Sequence, residues 1–206
     1  MKHFRLILLL QFATTLVLGQ PAPQGRQASL PNQPKALVQS LYQQVVLRHP
    51  MGIPYGEDMK IFAPYLSKAL LHRINLAVAC GDDWYRQNPE PHLKPELVWL
   101  DAGLFSGDDE QASPRAFEIE RIQPGKDGTF RVYVRLTWGQ GADRPEIWRI
   151  AAIVVREKSR FVIDDVIYLK DENRPKDSSL SEYLSTGCKG SHWVGFGQQK
   201  NVNQLK

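Results

Sequence analysis

The stretch that decides the fold runs from residue 116 to residue 170, AFEIERIQPGKDGTFRVYVRLTWGQGADRPEIWRIAAIVVREKSRFVIDDVIYLK. It divides into four runs of strand-forming residues, 116–122, 130–138, 147–156 and 160–170. The junctions are turn material: Pro124-Gly125-Lys126-Asp127-Gly128, then Gly139 to Pro145, then Glu157-Lys158-Ser159. Connections this short join antiparallel neighbours, because a parallel pair needs a long crossover. The expectation is an antiparallel meander.

The runs differ in their alternation. Phe130, Val132, Val134, Leu136 and Trp138 alternate with Arg131, Tyr133, Arg135 and Thr137, which predicts one buried face and one wet face. In 147–156, Trp148, Ile150, Ala152 and Val154 oppose Ile147, Ala151, Ile153 and Val155, so both faces are apolar. Such a strand is either central and covered on both sides or part of a subunit interface. A homodimer packed through strand 147–156 therefore enters as an expectation.

Upstream, the period changes from two to that of a helix. Leu37, Val38, Leu41, Tyr42, Val45 and Val46 form one stripe, with Asn32 placed to cap the helix and His49-Pro50 placed to stop it. A short helix is expected through Asp58 to Phe62. A longer one, capped by Ser67, should reach about Ala79 with Leu66, Ala69, Leu70, Ile74, Ala77 and Val78 inward. Gly81 is expected to end or bend it. Leu97 to Phe105 is apolar, and Ser178 to Leu184 suits a closing helix. The fold class is α+β, with N-terminal helices packed on a curved antiparallel meander.

The ends and the cysteines speak to compartment. Lys2, His3 and Arg5 precede the apolar stretch Leu6 to Leu18, and Val17 and Gly19 suit cleavage before Gln20. Residues 1–19 are read as a signal peptide, too short in apolar length to span a bilayer. Residues 20–34 (QPAPQGRQASLPNQP) read as a disordered linker, 35–186 as one domain and 187–206 as a flexible tail. The formal charge of +4 falls to about +2 once Lys2 and Arg5 are removed, and no dense basic cluster exists, so nucleic acid is not an expected partner. Cys80 and Cys188 are the two cysteines. In an exported chain, periplasmic or extracellular, they are read as a disulfide, with two unpaired buried thiols as the alternative.

Four segments carry a family resemblance. They are Leu37–Val46, Ala63-Pro64-Tyr65-Leu66-Ser67-Lys68-Ala69-Leu70, Leu100-Asp101-Ala102-Gly103-Leu104-Phe105-Ser106-Gly107, and Phe161-Val162-Ile163-Asp164-Asp165-Val166-Ile167-Tyr168. In this order, across roughly residues 36–185, the chain resembles an exported bacterial family of uncharacterised domains within the cystatin-like, nuclear transport factor two-like superfold. The resemblance implies a cone-shaped shape more than a function, since that superfold supports isomerases, dehydratases and non-catalytic binding modules alike.

The candidate chemistry is sparse. In a plain strand Phe161, Ile163, Asp165, Ile167 and Leu169 share a face, which sets a carboxylate among apolar groups and suits it to proton abstraction. The competing reading puts Asp164 and Asp165 at a bulge, accepting backbone N–H or Arg bonds. Arg131, Tyr133, Arg135, Trp148 and Arg149 are candidates for holding an anionic ligand on the sheet, against cross-strand pairing with Glu118 or Glu120. No histidine pair has ligand spacing, and His72 falls on the polar side of its helix. Asp101 with Asp108, Asp109 and Glu110 lacks the spacing of a calcium loop. Gly139-Gln140-Gly141 is not a phosphate loop, and no nucleophile elbow is present. No metal and no cofactor are expected. The leading expectation is a non-catalytic binding domain for a small amphipathic molecule or a protein. The alternative is a cofactor-free isomerase, lyase or hydrolase using Asp164 or Asp165 as general base inside the cone.

Overall fold

The computed structural model describes residues 33–90, 92–95, 97–107, 113–139, 145–172 and 174–196. Residues 1–19, read as a signal peptide, and Asn32 therefore lie outside the described residues, as do Asp108 to Glu110, Gln140 to Arg144 and the last ten residues. The meander is present as β1 (Ala116–Pro124), β2 (Phe130–Trp138), β3 (Glu146–Glu157) and β4 (Arg160–Tyr168), joined by a two-residue β5 (Ser178–Ser179). Their order in the sheet is their order in the chain, and every neighbouring pair is antiparallel. β3 is the middle strand, hydrogen-bonded on both edges.

Among the described residues three α-helices precede the sheet and a fourth follows it. α1 (Pro34–Arg48) starts at Pro34, whose missing N–H is no loss in a first turn, with Gln33 at its N-cap. His49 ends it in the left-handed region at φ 49°, its N–H bonded to the Val45 carbonyl. α2 (Gly56–Phe62) runs into a single 3-10 turn. In α3 (Lys68–Gln87) the Ser67 hydroxyl accepts from Leu70 N–H, the expected cap. α3 does not stop or break at Gly81. That glycine lies inside the helix, where a Cβ would come within 3.3 Å of the Trp99 ring, so its absent side chain makes room for a neighbour. Ala69 and Val78 are exposed, and the inner face is carried by Leu70, Ile74, Ala77, Cys80 and Trp84. α4 (Leu180–Ser185) opens with a complete capping box between Ser179 and Glu182.

These helices send their apolar residues into one cluster, lined on its other side by Val132, Val134, Leu136, Ile150, Ala152, Val154, Ile163, Val166 and Tyr168. The inner face of the sheet is filled. Part of the filling is the segment 97–107, a loop rather than a regular element, which buries Leu97, Trp99, Leu104 and Phe105. A buried loop must satisfy its own backbone. Three aromatic side chains do this in succession: Tyr168 Oη donates to the Leu104 carbonyl at 2.7 Å, Tyr42 Oη to Phe105 at 2.6 Å, and Trp148 Nε1 to Ser106 at 2.9 Å. Gly107 then turns away at φ 69°, where a Cβ would lie 2.4 Å from the Tyr168 ring.

Beyond α4 the chain was expected to be a flexible tail. Its described part forms a hairpin of two short strands, β6 (Cys188–Lys189) and β7 (His192–Trp193). Two-residue strands carry no readable period, so local pattern gave no warning of them. The hairpin is fastened to α3 by the Cys80–Cys188 disulfide, with Cα atoms 6.1 Å apart. Asp83 Oδ2 adds an acceptor for Trp193 N–H at 2.9 Å. That bond, foremost, holds the Asp83 carboxyl below its usual range, with burial opposing and Gln87 and Arg86 assisting. Among the described residues no helix is long and apolar enough to cross a membrane.

Candidate functional site

Two places gather the chemistry-bearing residues: a bulge in β4 and the outer face of the sheet. At the bulge, pairing slips between Ile153 and Val154 of β3, so Asp164 and Asp165 face a single position. The slip reverses the alternation. Phe161 and Ile163 are buried before it and Val166 and Tyr168 after it, so Asp165 and Ile167 leave the buried face that plain alternation assigned them.

Both carboxylates are engaged with helix beginnings. Asp164 Oδ1 accepts from the Ser67 hydroxyl at 2.5 Å, while that hydroxyl caps α3. Asp165 Oδ1 accepts from Val166 N–H at 2.8 Å and from Ser181 N–H, in the first turn of α4, at 3.1 Å. Arg73 donates to the Asp164 carbonyl at 3.3 Å. Burial pushes the Asp165 carboxyl up, and its bonds to Ser181 and Val166 and the Arg73 charge only partly offset this.

A raised carboxyl gives stability that is full below the unfolded value of 3.8 and declines as pH rises through the folded value. Asp165→Asn keeps an oxygen acceptor for both N–H groups and cannot ionise. Its melting temperature relative to wild type should therefore climb between about pH 4 and pH 7. Thermal scans across that range check this; a difference that stays constant rejects burial as the dominant influence on Asp165.

The outer face of the sheet carries the basic and aromatic candidates. Arg135 forms an ion pair with Glu118, and Arg149 Nε lies 3.1 Å from both carboxylate oxygens of Glu120, so these two arginines make the cross-strand pairs. Tyr133 is buried beneath Arg121, whose guanidinium carbon stands 3.8 Å from the ring centroid, and its hydroxyl donates to Gln123 Oε1 at 3.2 Å. Burial pushes the Tyr133 phenol up, but hydrogen bonds from Arg131 and Arg121, and their charge, outweigh it and leave it lowered. Arg121, Arg131 and Lys170 form no ion pair among the described residues. Together with Tyr133 and Arg149 they border a groove of about 360 Å³, walled on its apolar side by Ile147 and Leu169. Trp148 touches the groove, but its indole belongs to the core, as the bond to Ser106 requires.

Plain alternation along β1 sets Arg121 on the same face as Phe117 and Ile119, so sequence reasoning passed it over. A second register shift, between Ile119 and Arg121, turns Arg121 outward onto Tyr133. Lys170, two residues beyond the end of β4, had no signal beyond its charge. The remaining candidates stay apart. His72 is exposed, Asp101 pairs with Lys94 at 2.6 Å, and among the described residues no cluster of three His, Cys, Asp or Glu side chains is arranged to hold a metal.

Comparison with protein-family models, with curated proteins and with solved structures returns no match.

Proposed function

We propose that this chain is an exported, non-catalytic binding domain that takes its ligand on the outer face of the sheet. The observation that carries the reading is the groove over β2 and β3, where Arg121, Arg131 and Lys170 form no ion pair among the described residues and stand beside apolar Ile147 and Leu169. The inner face supports it from the other side. It is occupied by the protein's own aromatics and by segment 97–107, leaving a small amphipathic molecule no lining there to replace. Export is supported by the leader-like residues 1–19 and by the disulfide, a bond that persists in oxidising compartments.

The enzymatic alternative has less behind it. A general base needs a carboxylate oxygen within reach of a substrate proton. Asp164 and Asp165 instead each commit Oδ1 to bracing a helix start, through Ser67 in one case and Val166 and Ser181 in the other. A dimer through β3 would have to pack face to face, since both edges of that strand are paired, and it would cover the same groove.

The test is amide NMR of the oxidised protein titrated with small amphipathic probes. Shifts are expected to concentrate at 131–133, 147–149 and 169–170. Shifts centred on Tyr42, Phe105 and Tyr168 would sink the outer-face reading.

A further inference from the structure

The chemistry of that groove defines the class of ligand, and the inference rests on the reading that the ligand sits on the outer face. Arg149 is neutralised by Glu120, which leaves Arg121, Arg131 and Lys170 as three positive charges around one concavity. The two acids at its rim are already engaged. Asp177 Oδ1 accepts the Lys170 backbone N–H at 2.9 Å, and Asp171 Oδ1 accepts that of Arg174 at 2.8 Å. They shape the 170–177 loop, and their two negative charges, with Glu120, leave the lining only weakly positive. The floor is Tyr133, a fixed aromatic whose ring carries Arg121 and so holds that guanidinium in place. Opposite stand Ile147, 43% exposed, and half-buried Leu169.

Two guanidinium groups at one groove match a tetrahedral oxyanion, whose oxygens accept paired hydrogen bonds from each planar fork. The exposed isoleucine and the half-buried leucine suit a short hydrocarbon body rather than a sugar. The volume of about 360 Å³ lies within the range of small-molecule sites. We propose that the outer-face groove binds an organic phosphate monoester, its phosphate against Arg121, Arg131 and Lys170 and its apolar body against Ile147 and Leu169. A free alkyl or aryl phosphate and the headgroup of an anionic lipid share this chemistry.

The experiment titrates the oxidised full-length domain with hexyl phosphate, hexanol and inorganic phosphate, read by amide NMR and calorimetry. Hexyl phosphate is expected to bind at 131–133, 147–149 and 169–170, more tightly than either fragment. The affinity should fall at least about tenfold in an Arg131→Ala/Lys170→Ala variant and fall again in about 0.5 M salt. Arg135→Ala, already paired with Glu118 away from the groove, serves as the control and should bind as wild type; unchanged melting temperatures exclude misfolding. Flotation with phosphatidic acid vesicles, lost in the double variant, assigns the headgroup to a membrane. Binding of hexyl phosphate without flotation assigns it to a soluble ester, and both satisfy the proposal. Hexanol binding at these amides as tightly as hexyl phosphate, or no loss in the double variant, overturns the phosphate class while leaving the outer-face reading intact. Shifts confined to inner-face residues overturn that reading itself.

Discussion

Replacing Cys80 and Cys188 together by serine is expected to lower the unfolding free energy by about 2–5 kcal/mol. The bond joins residues 108 apart, so in the unfolded chain it closes a long loop. For a loop near 100 residues the chain-entropy model gives roughly 4.7 kcal/mol, at the upper part of that range. The folded side argues the same way. β6 and β7 have two residues each, too few for a hairpin to hold itself together in water. Without the disulfide, what fastens the hairpin is chiefly the packing of Trp193 and the Asp83 carboxylate on its backbone. Urea unfolding of the oxidised protein, the reduced protein and the double-serine variant measures the effect. The last two should coincide and fall well below the first. Three superimposable curves would mean that the hairpin contributes nothing to global stability.

The second large effect is expected at Phe105→Ala, at about 3–5 kcal/mol, the usual range for truncating a fully buried phenylalanine. Phe105 has no exposed surface, and its ring centroid lies 5.0 Å from that of Phe62. Its position is fixed from three sides, because Tyr168, Tyr42 and Trp148 donate to the carbonyls of residues 104, 105 and 106. A backbone held this way cannot easily slump into the vacated space, so the substitution should leave a cavity rather than a collapsed core. The same variant separates two models of ligand binding. A groove on the outer face should keep its affinity for hexyl phosphate, whereas a ligand site on the inner face should change with the cavity. Chemical denaturation and the titration described above provide both readouts. A loss below about 1 kcal/mol would show that segment 97–107 is not part of the cooperative core.

The meander was legible because its signals are local. Alternation in Phe130 to Trp138 and the turn residues between runs fix strand, partner and direction within a few neighbours. The Ser67 cap was legible for the same reason, and so was the stripe of α1. The two cysteines could be paired from compartment and number, and they are paired. The apolar outer row of β3 pointed either to a central strand covered on both sides or to a subunit interface. The strand is central, but Ile147 on that row remains exposed and the described helices pack on the other face.

The candidate site was much less legible. Arg131, Tyr133 and Arg149 could be named from alternation alone. The partners that give them meaning could not, because those depend on two register slips. A bulge inserts one residue and flips every side chain after it, yet its residues look like ordinary strand. Hence Arg121 moved outward to lie over Tyr133, and Asp165 moved off the face of Ile163 to receive Ser181. By itself the sequence determined the α+β class, the four long strands and their antiparallel pairing, since these follow from periodicity and turn chemistry over short spans. Only the tertiary structure decided that a loop helps fill the inner face, that Asp164 and Asp165 brace helix starts, and that Arg121, Arg131, Arg149 and Lys170 line one groove. Those outcomes depend on contacts between residues far apart in the chain, and no local pattern records them.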